Sequence, residues 1–150
     1  MKRVLALLII GLSFFKTASA NNCQLDVAVG DNLSFKPSAL QVSASECSTV
    51  TVNLIHQGSM AKQSMGHNWV LTTTADAQNV AQAGWTAGLA NQYLPQDDAR
   101  ILAATDIIGG GESTSITFET SQLSVGGDYT FFCSFVGHFA VMKGKFSVVD

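Results

Sequence analysis

The 150-residue chain lacks an apolar run long enough to cross a membrane as a helix. Its longest, Val4 to Phe15, offers twelve almost unbroken apolar residues, where a bilayer core calls for ~20. Basic residues are also scarce, eight against eleven acids. No stripe of Lys and Arg is present to neutralise phosphates, which excludes nucleic-acid binding. The chain has neither internal repeats nor linker composition to divide it, so a single domain is expected. Cysteine and histidine are few, with three of each.

The apolar run has a different use. Lys2 and Arg3 precede it and Ala18-Ser19-Ala20 follows it as an A-x-A cleavage signal, so residues 1–20 are expected to be a cleaved secretory signal peptide. The mature domain is then 21–150, whose 130 residues can bury a hydrophobic core unaided. Lys2, Arg3 and Lys16 leave with the leader, so five basic residues face eleven acids and the net charge becomes −6. Export leads to an oxidising compartment, where an odd cysteine count asks for one pair and one leftover thiol. Cys23 and Cys47 both lie early, and a bridge between them would close a loop worth roughly 3–4 kcal/mol in the chain-entropy picture. Cys133 is then the leftover, a liability in such a compartment unless a metal holds it.

Short alternating segments broken by Gly, Asn, Asp and Ser predict an all-β sandwich or barrel. Leu25, Val27 and Val29 alternate with polar partners, and Val50, Val52, Leu54 and His56 share one strand face. His67, Trp69 and Leu71 share another, and Ile116 and Phe118 mark a strand before the turn at Gly126-Gly127. Tyr129, Phe131 and Cys133 line a strand that delivers the cysteine at its end, and Met142, Gly144, Phe146 and Val148 line the last. The Ala- and Gln-rich text from Asp76 to about Leu89 predicts one inserted short helix, with Thr74 or Asp76 as cap.

Chemistry concentrates in CSFVGHFAVM, from Cys133 to Met142. Cys133, His138 and Met142 are spaced by five and four, too wide for one strand and suited to a loop curled around an ion. His67, in MGHNW, would close the site from another part of the fold. Two imidazoles, one thiolate and one thioether form the ligand set of a mononuclear electron-transfer copper site. A structural zinc site would want four strong ligands, and a thioether is a poor one. His56 shares its face with valines and leucine and is read as buried and non-coordinating.

MGHNWVL and FFCSFVGHFAVMKG resemble the motifs of the azurins, blue-copper proteins of the cupredoxin family, and the resemblance covers essentially the whole mature chain. It implies a cupredoxin-like, eight-stranded Greek-key β-barrel or sandwich with a helical flap near 76–88. It implies one copper ion cycling between Cu(I) and Cu(II), held by His67, Cys133 and His138, with Met142 axial and the Gly66 carbonyl a weak opposite contact. It implies a Cys23–Cys47 disulfide, an Asn68 that ties the ligand loops together, and hydrogen bonds to the cysteine sulfur from the N–H groups of Asn68 and Phe135. Electrons would pass at His138 through an apolar patch matching Leu33, Met65, Phe135, Val136 and Phe139. Val136 stands at a usual proline position and Phe139 at a smaller, often polar one, so a less rigid loop and a more apolar docking face are expected.

The expected function is a soluble periplasmic one-electron carrier, not an enzyme. Its expected partners are redox proteins such as c-type cytochromes, copper reductases or periplasmic dehydrogenases. The mature protein is expected to be monomeric and not inserted in a membrane. The alternative is a periplasmic protein that binds and delivers copper, which would show more open or Met-rich ligation. Cys133 as an enzymatic nucleophile would leave Met142 and the second histidine without a role. A multicopper oxidase would need a second set of histidines, and only His56 remains.

Overall fold

The computed structural model describes residues 23–150; the expected signal peptide lies outside the described residues. Eight strands follow in chain order: β1 Gln24–Val29, β2 Ala39–Ser43, β3 Thr49–His56, β4 Val70–Thr73, β5 Ala103–Ala104, β6 Ser113–Glu119, β7 Tyr129–Phe132 and β8 Lys143–Val149. A four-residue helix α1, Lys62–Met65, precedes β4, and α2, Ala77–Ala87, follows it. The strands form two sheets, ordered β1-β3-β6 and β2-β8-β7-β4-β5, in a curled sandwich. Strand β1 runs parallel to β3 and β2 parallel to β8, while the other neighbours are antiparallel. This is the expected eight-stranded, all-β cupredoxin-like architecture with an inserted helix. Among the described residues, no helix is long and apolar enough to cross a membrane.

The period-two pattern explains how the sandwich closes. Val27, Val50, Val52, Leu54 and Phe118 from one sheet share a buried cluster with Leu40, Val42, Leu71, Phe131, Phe146 and Val148 from the other. Trp69 lies at its centre, fully buried, with its ring near those of Phe118, Phe131 and Phe146. The disulfide joins Cys23, just before β1, to Cys47, just before β3.

Two departures from the sequence pattern have packing causes. Strand β4 is buried at Val70, Leu71 and Thr72 alike, because α2 covers its outer face. There Ala77, Val80 and Ala81 pack on Val70 and Phe132. Asp76 occupies the helix N-cap position, but its carboxylate accepts from the Thr73 hydroxyl at 2.7 Å instead of capping the backbone. The helix ends at Gly88 with φ of 70° and ψ of 179°, a positive-φ conformation that glycine adopts cheaply.

Strand register sets up the ligand loop. Phe132 pairs with Lys143 across β7 and β8, so Cys133 and Met142 are the next pair beyond the ladder. The Cys133 N–H donates to the Met142 carbonyl at 3.0 Å, closing the intervening loop as an extended hairpin connection.

Candidate metal centre

Each donor is delivered by a different local device. His67 lies before β4, where it exchanges two backbone hydrogen bonds with Ile108 at 3.0 and 2.9 Å as an isolated bridge. Its ring Nε2 donates to the Gly30 carbonyl at 3.0 Å. A carbonyl can only accept, so Nε2 carries the proton and Nδ1 keeps its lone pair. Cys133 directly follows β7, fully buried, and His138 sits where the loop turns back, its N–H donating to the Phe135 carbonyl at 3.0 Å. Gly137, with φ of 83°, supplies the turn just before it.

The three side chains converge. Cys133 Sγ lies 3.7 Å from His67 Nδ1 and 3.6 Å from His138 Nδ1, and the donor atoms all lie within 4.8 Å of one another. The Gly66 carbonyl is 3.9 Å from the same sulfur. Met142 is fully buried in the apolar cluster that also contains Cys133, Phe135, Ile107 and Ile108. His56 stays out of the group, as expected. Its Nδ1 accepts from the Gly58 N–H at 3.0 Å and its Nε2 donates to the Met65 carbonyl at 3.1 Å, so both ring nitrogens are used. Its ring stacks on that of His67, with centroids 4.8 Å apart.

Burial dominates the electrostatics. It pushes the Cys133 thiol up to about 12, against the lowering effect of the Asn68 and Phe135 N–H groups that donate to the sulfur. It holds His138 down to about 4, and holds His67 to about 4 with help from the neighbouring His138 charge. Both imidazoles are therefore neutral at physiological pH, as metal coordination would require. The thiol keeps its proton until a cation replaces it. Soft sulfur, two neutral imidazoles and no carboxylate in the cluster make a donor set that fits copper and disfavours hard ions.

A polar lattice holds the two ligand segments together. Asn68 is fully buried; its Nδ2 donates to Ser134 Oγ at 2.8 Å and to the Gln92 carbonyl at 2.9 Å. Its Oδ1 accepts from the Ser134 N–H at 2.9 Å. The expected tying role of Asn68 is thus visible as bonds. Gly30, Ser134, Ile108 and Gln92 were not legible as site residues, because each acts through backbone groups or pairs that only the fold brings together.

The apolar residues around His138 differ in how far they are exposed. Val136 is 51% exposed and Val141 63%, while His138 keeps 7% exposure. Leu33 and Met65 are half-buried and Phe135 is buried. Phe139 is half-buried like Leu33 and Met65: its ring packs against Phe132, and Lys143 Nζ lies 4.7 Å above it. Packing against Phe132 takes part of the aromatic ring out of water.

A curled two-sheet β-sandwich with a buried thiol between two imidazoles at one end is the architecture of a mononuclear copper-binding protein. The model of the copper binding proteins of the plastocyanin/azurin family matches residues 21–149. The chain is 49% identical over 149 residues to an azurin of Bordetella pertussis, covering 99% of both chains. It is 52% identical over 128 residues to azurin-1 of Alcaligenes xylosoxydans xylosoxydans, covering 85% of this chain and 98% of that one. A solved azurin (Az-iso2) of Methylomonas sp. strain J superposes with a TM-score of 0.82 at 44% identity, over 85% of this chain and 98% of its own. The chain belongs to the plastocyanin/azurin family of copper binding proteins.

Proposed function

We propose that His67, Cys133 and His138 hold one copper ion, with Met142 and the Gly66 carbonyl as weaker contacts, and that the chain is a one-electron carrier of the periplasm. The observation that carries this reading is the buried Cys133 sulfur lying 3.6 and 3.7 Å from the Nδ1 atoms of two imidazoles. Bound copper supplies a Cu(I)/Cu(II) couple and an intense thiolate-to-metal absorption. The protein supplies rigidity. The Gly30 carbonyl holds the His67 ring, the Asn68–Ser134 bonds hold the two segments in register, and the Asn68 and Phe135 N–H groups stabilise charge on the sulfur. Donors held this way reorganise little when charge changes, which favours fast electron exchange.

The Cys133 thiol is a poor nucleophile, being fully buried and raised to about 12, so no catalytic use is proposed for it. Electrons enter and leave at His138, in a rim that includes the exposed Val136 and Val141. We propose that c-type cytochromes, copper reductases or periplasmic dehydrogenases dock there. Periplasmic location is supported by the signal-like residues 1–20 and by the disulfide.

The test is an optical and paramagnetic-resonance spectrum of the copper-loaded protein lacking residues 1–20. An intense blue band lost on reduction is expected. A colourless oxidised protein with Cys133 intact would refute the reading. Rapid release of copper to a chelator under mild conditions would favour copper delivery instead.

A further inference from the structure

Gln92 is joined to both sides of the His67 segment. It follows the turn Leu89–Asn91 and adopts a left-handed conformation, φ 59° and ψ 20°. Its backbone carbonyl accepts from Asn68 Nδ2 at 2.9 Å. Its side-chain Oε1 accepts from the Ile107 N–H at 2.8 Å. Asn68 is the residue after His67, and Ile107 precedes the residue whose backbone pairs with His67. Two acceptors of one residue therefore reach the two segments that place this imidazole.

The bond to Ile107 matters because of where it lies in the sheet. Strand β5 is the outer strand of the five-stranded sheet, and its continuation through Thr105 and Ile108 pairs inward with Trp69 and His67. The Ile107 N–H, between those pairs, points to the outer side, where no further strand lies among the described residues. Ile107 is 3% exposed, so an unpaired N–H there would be costly. The Gln92 side chain takes the place of the missing strand neighbour. Gly84 makes this arrangement possible, since a Cβ at that position would collide with the Tyr93 carbonyl and push the 88–93 segment away.

We propose that Gln92 is a positioning residue for the copper site, fixing His67 through Ile107–Ile108 and the Cys133 sulfur contact through Asn68. This rests on His67 and Cys133 being copper ligands. The discriminating variants are Gln92→Asn and Gln92→Glu. Asparagine adopts the left-handed backbone readily but withdraws the acceptor by about one C–C bond, ~1.5 Å. Glutamate keeps an acceptor oxygen within reach.

The experiment uses the chain lacking residues 1–20, metal-free and copper-loaded. Amide exchange at Ile107 and Ile108 is followed by NMR in the metal-free protein. In Gln92→Asn it should accelerate about tenfold, as expected for loss of one buried hydrogen bond. With copper, the same variant should show a displaced thiolate-to-copper band, an altered copper hyperfine splitting and a shifted potential. Gln92→Glu should restore slow exchange and the wild-type hyperfine pattern. Unchanged exchange in Gln92→Asn overturns the proposal. So does faster exchange with an unaltered copper spectrum, which would reduce Gln92 to an ordinary stabilising contact. A Gln92→Glu protein that behaves like Gln92→Asn overturns it too. A wild-type protein without the blue band would remove the copper reading and this role together, whereas a blue wild type with an insensitive Gln92→Asn variant removes this role alone.

Discussion

Phe139 meets Phe132 edge to face, with ring centroids 5.3 Å apart and planes at 82°. Phe132 belongs to the cluster beneath α2, so this contact fastens the ligand loop to the helical flap. The loop lacks a proline at Val136, and the aromatic anchor supplies part of the restraint that a fixed φ would have given.

Phe139→Ser should therefore destabilise the metal-free protein by about 1–2 kcal/mol, less than truncation of a fully buried phenylalanine because the ring is half-exposed. Denaturant unfolding measures this. A midpoint equal to wild type would mean that the ring contributes nothing to holding the loop.

Removal of the His138 ring should open a coordination position while sparing the fold, since no strand depends on that side chain. His138→Gly should weaken copper binding by more than the ~10–100-fold typical of losing a supporting outer contact. Added imidazole should restore the blue spectrum; indifference to imidazole would contradict His138 as a ligand.

Met142→Leu keeps the apolar volume and removes the thioether. The blue band should persist and the reduction potential should rise, because a donor that helps stabilise Cu(II) is gone. Voltammetry decides the matter, and an unmoved potential would count against axial coordination.

The metal-free protein should be most stable between about pH 6.5 and 9. His67 and His138 are held at about 4 when folded and have an ordinary value of 6.5. Between those values the unfolded chain binds more protons, so stability is present above 6.5 and is lost as pH falls toward 4. The Cys133 thiol rises from 9.0 to about 12 on folding, so its contribution is full below 9.0 and is lost as pH rises toward 12. Thermal midpoints measured from about pH 4 to about pH 12 should trace both limbs. Copper loading should abolish the alkaline limb, because a coordinated thiol is already deprotonated. A midpoint independent of pH from 4 to 6.5 would show that burial does not hold the imidazoles neutral.

Much of the site was legible because its chemistry is local in the chain. Cys133, His138 and Met142 are close in sequence, and the short loop that carries them follows from strand pairing at both ends. His67 was legible through its surrounding motif, although the distance from Cys133 is nonlocal. Strand β2 is not legible in the sequence, because Leu40 and Val42 alone are a thin alternating signal and its partner β8 lies far along the chain. The Phe139–Phe132 contact is not legible in the sequence, because a loop has no periodicity that says where a side chain points.

The sequence by itself determined the donor types, their spacing, the leftover thiol and the all-β class. These depend on residue identity and short-range pattern. Tertiary structure alone decided that Phe139 turns into the flap cluster, that the Gly30 carbonyl selects the His67 tautomer, and that Gln92 stands in for an absent strand. Each of these rests on a backbone group or an empty volume contributed by a distant segment, and no local pattern encodes a partner that arrives only when the chain has folded.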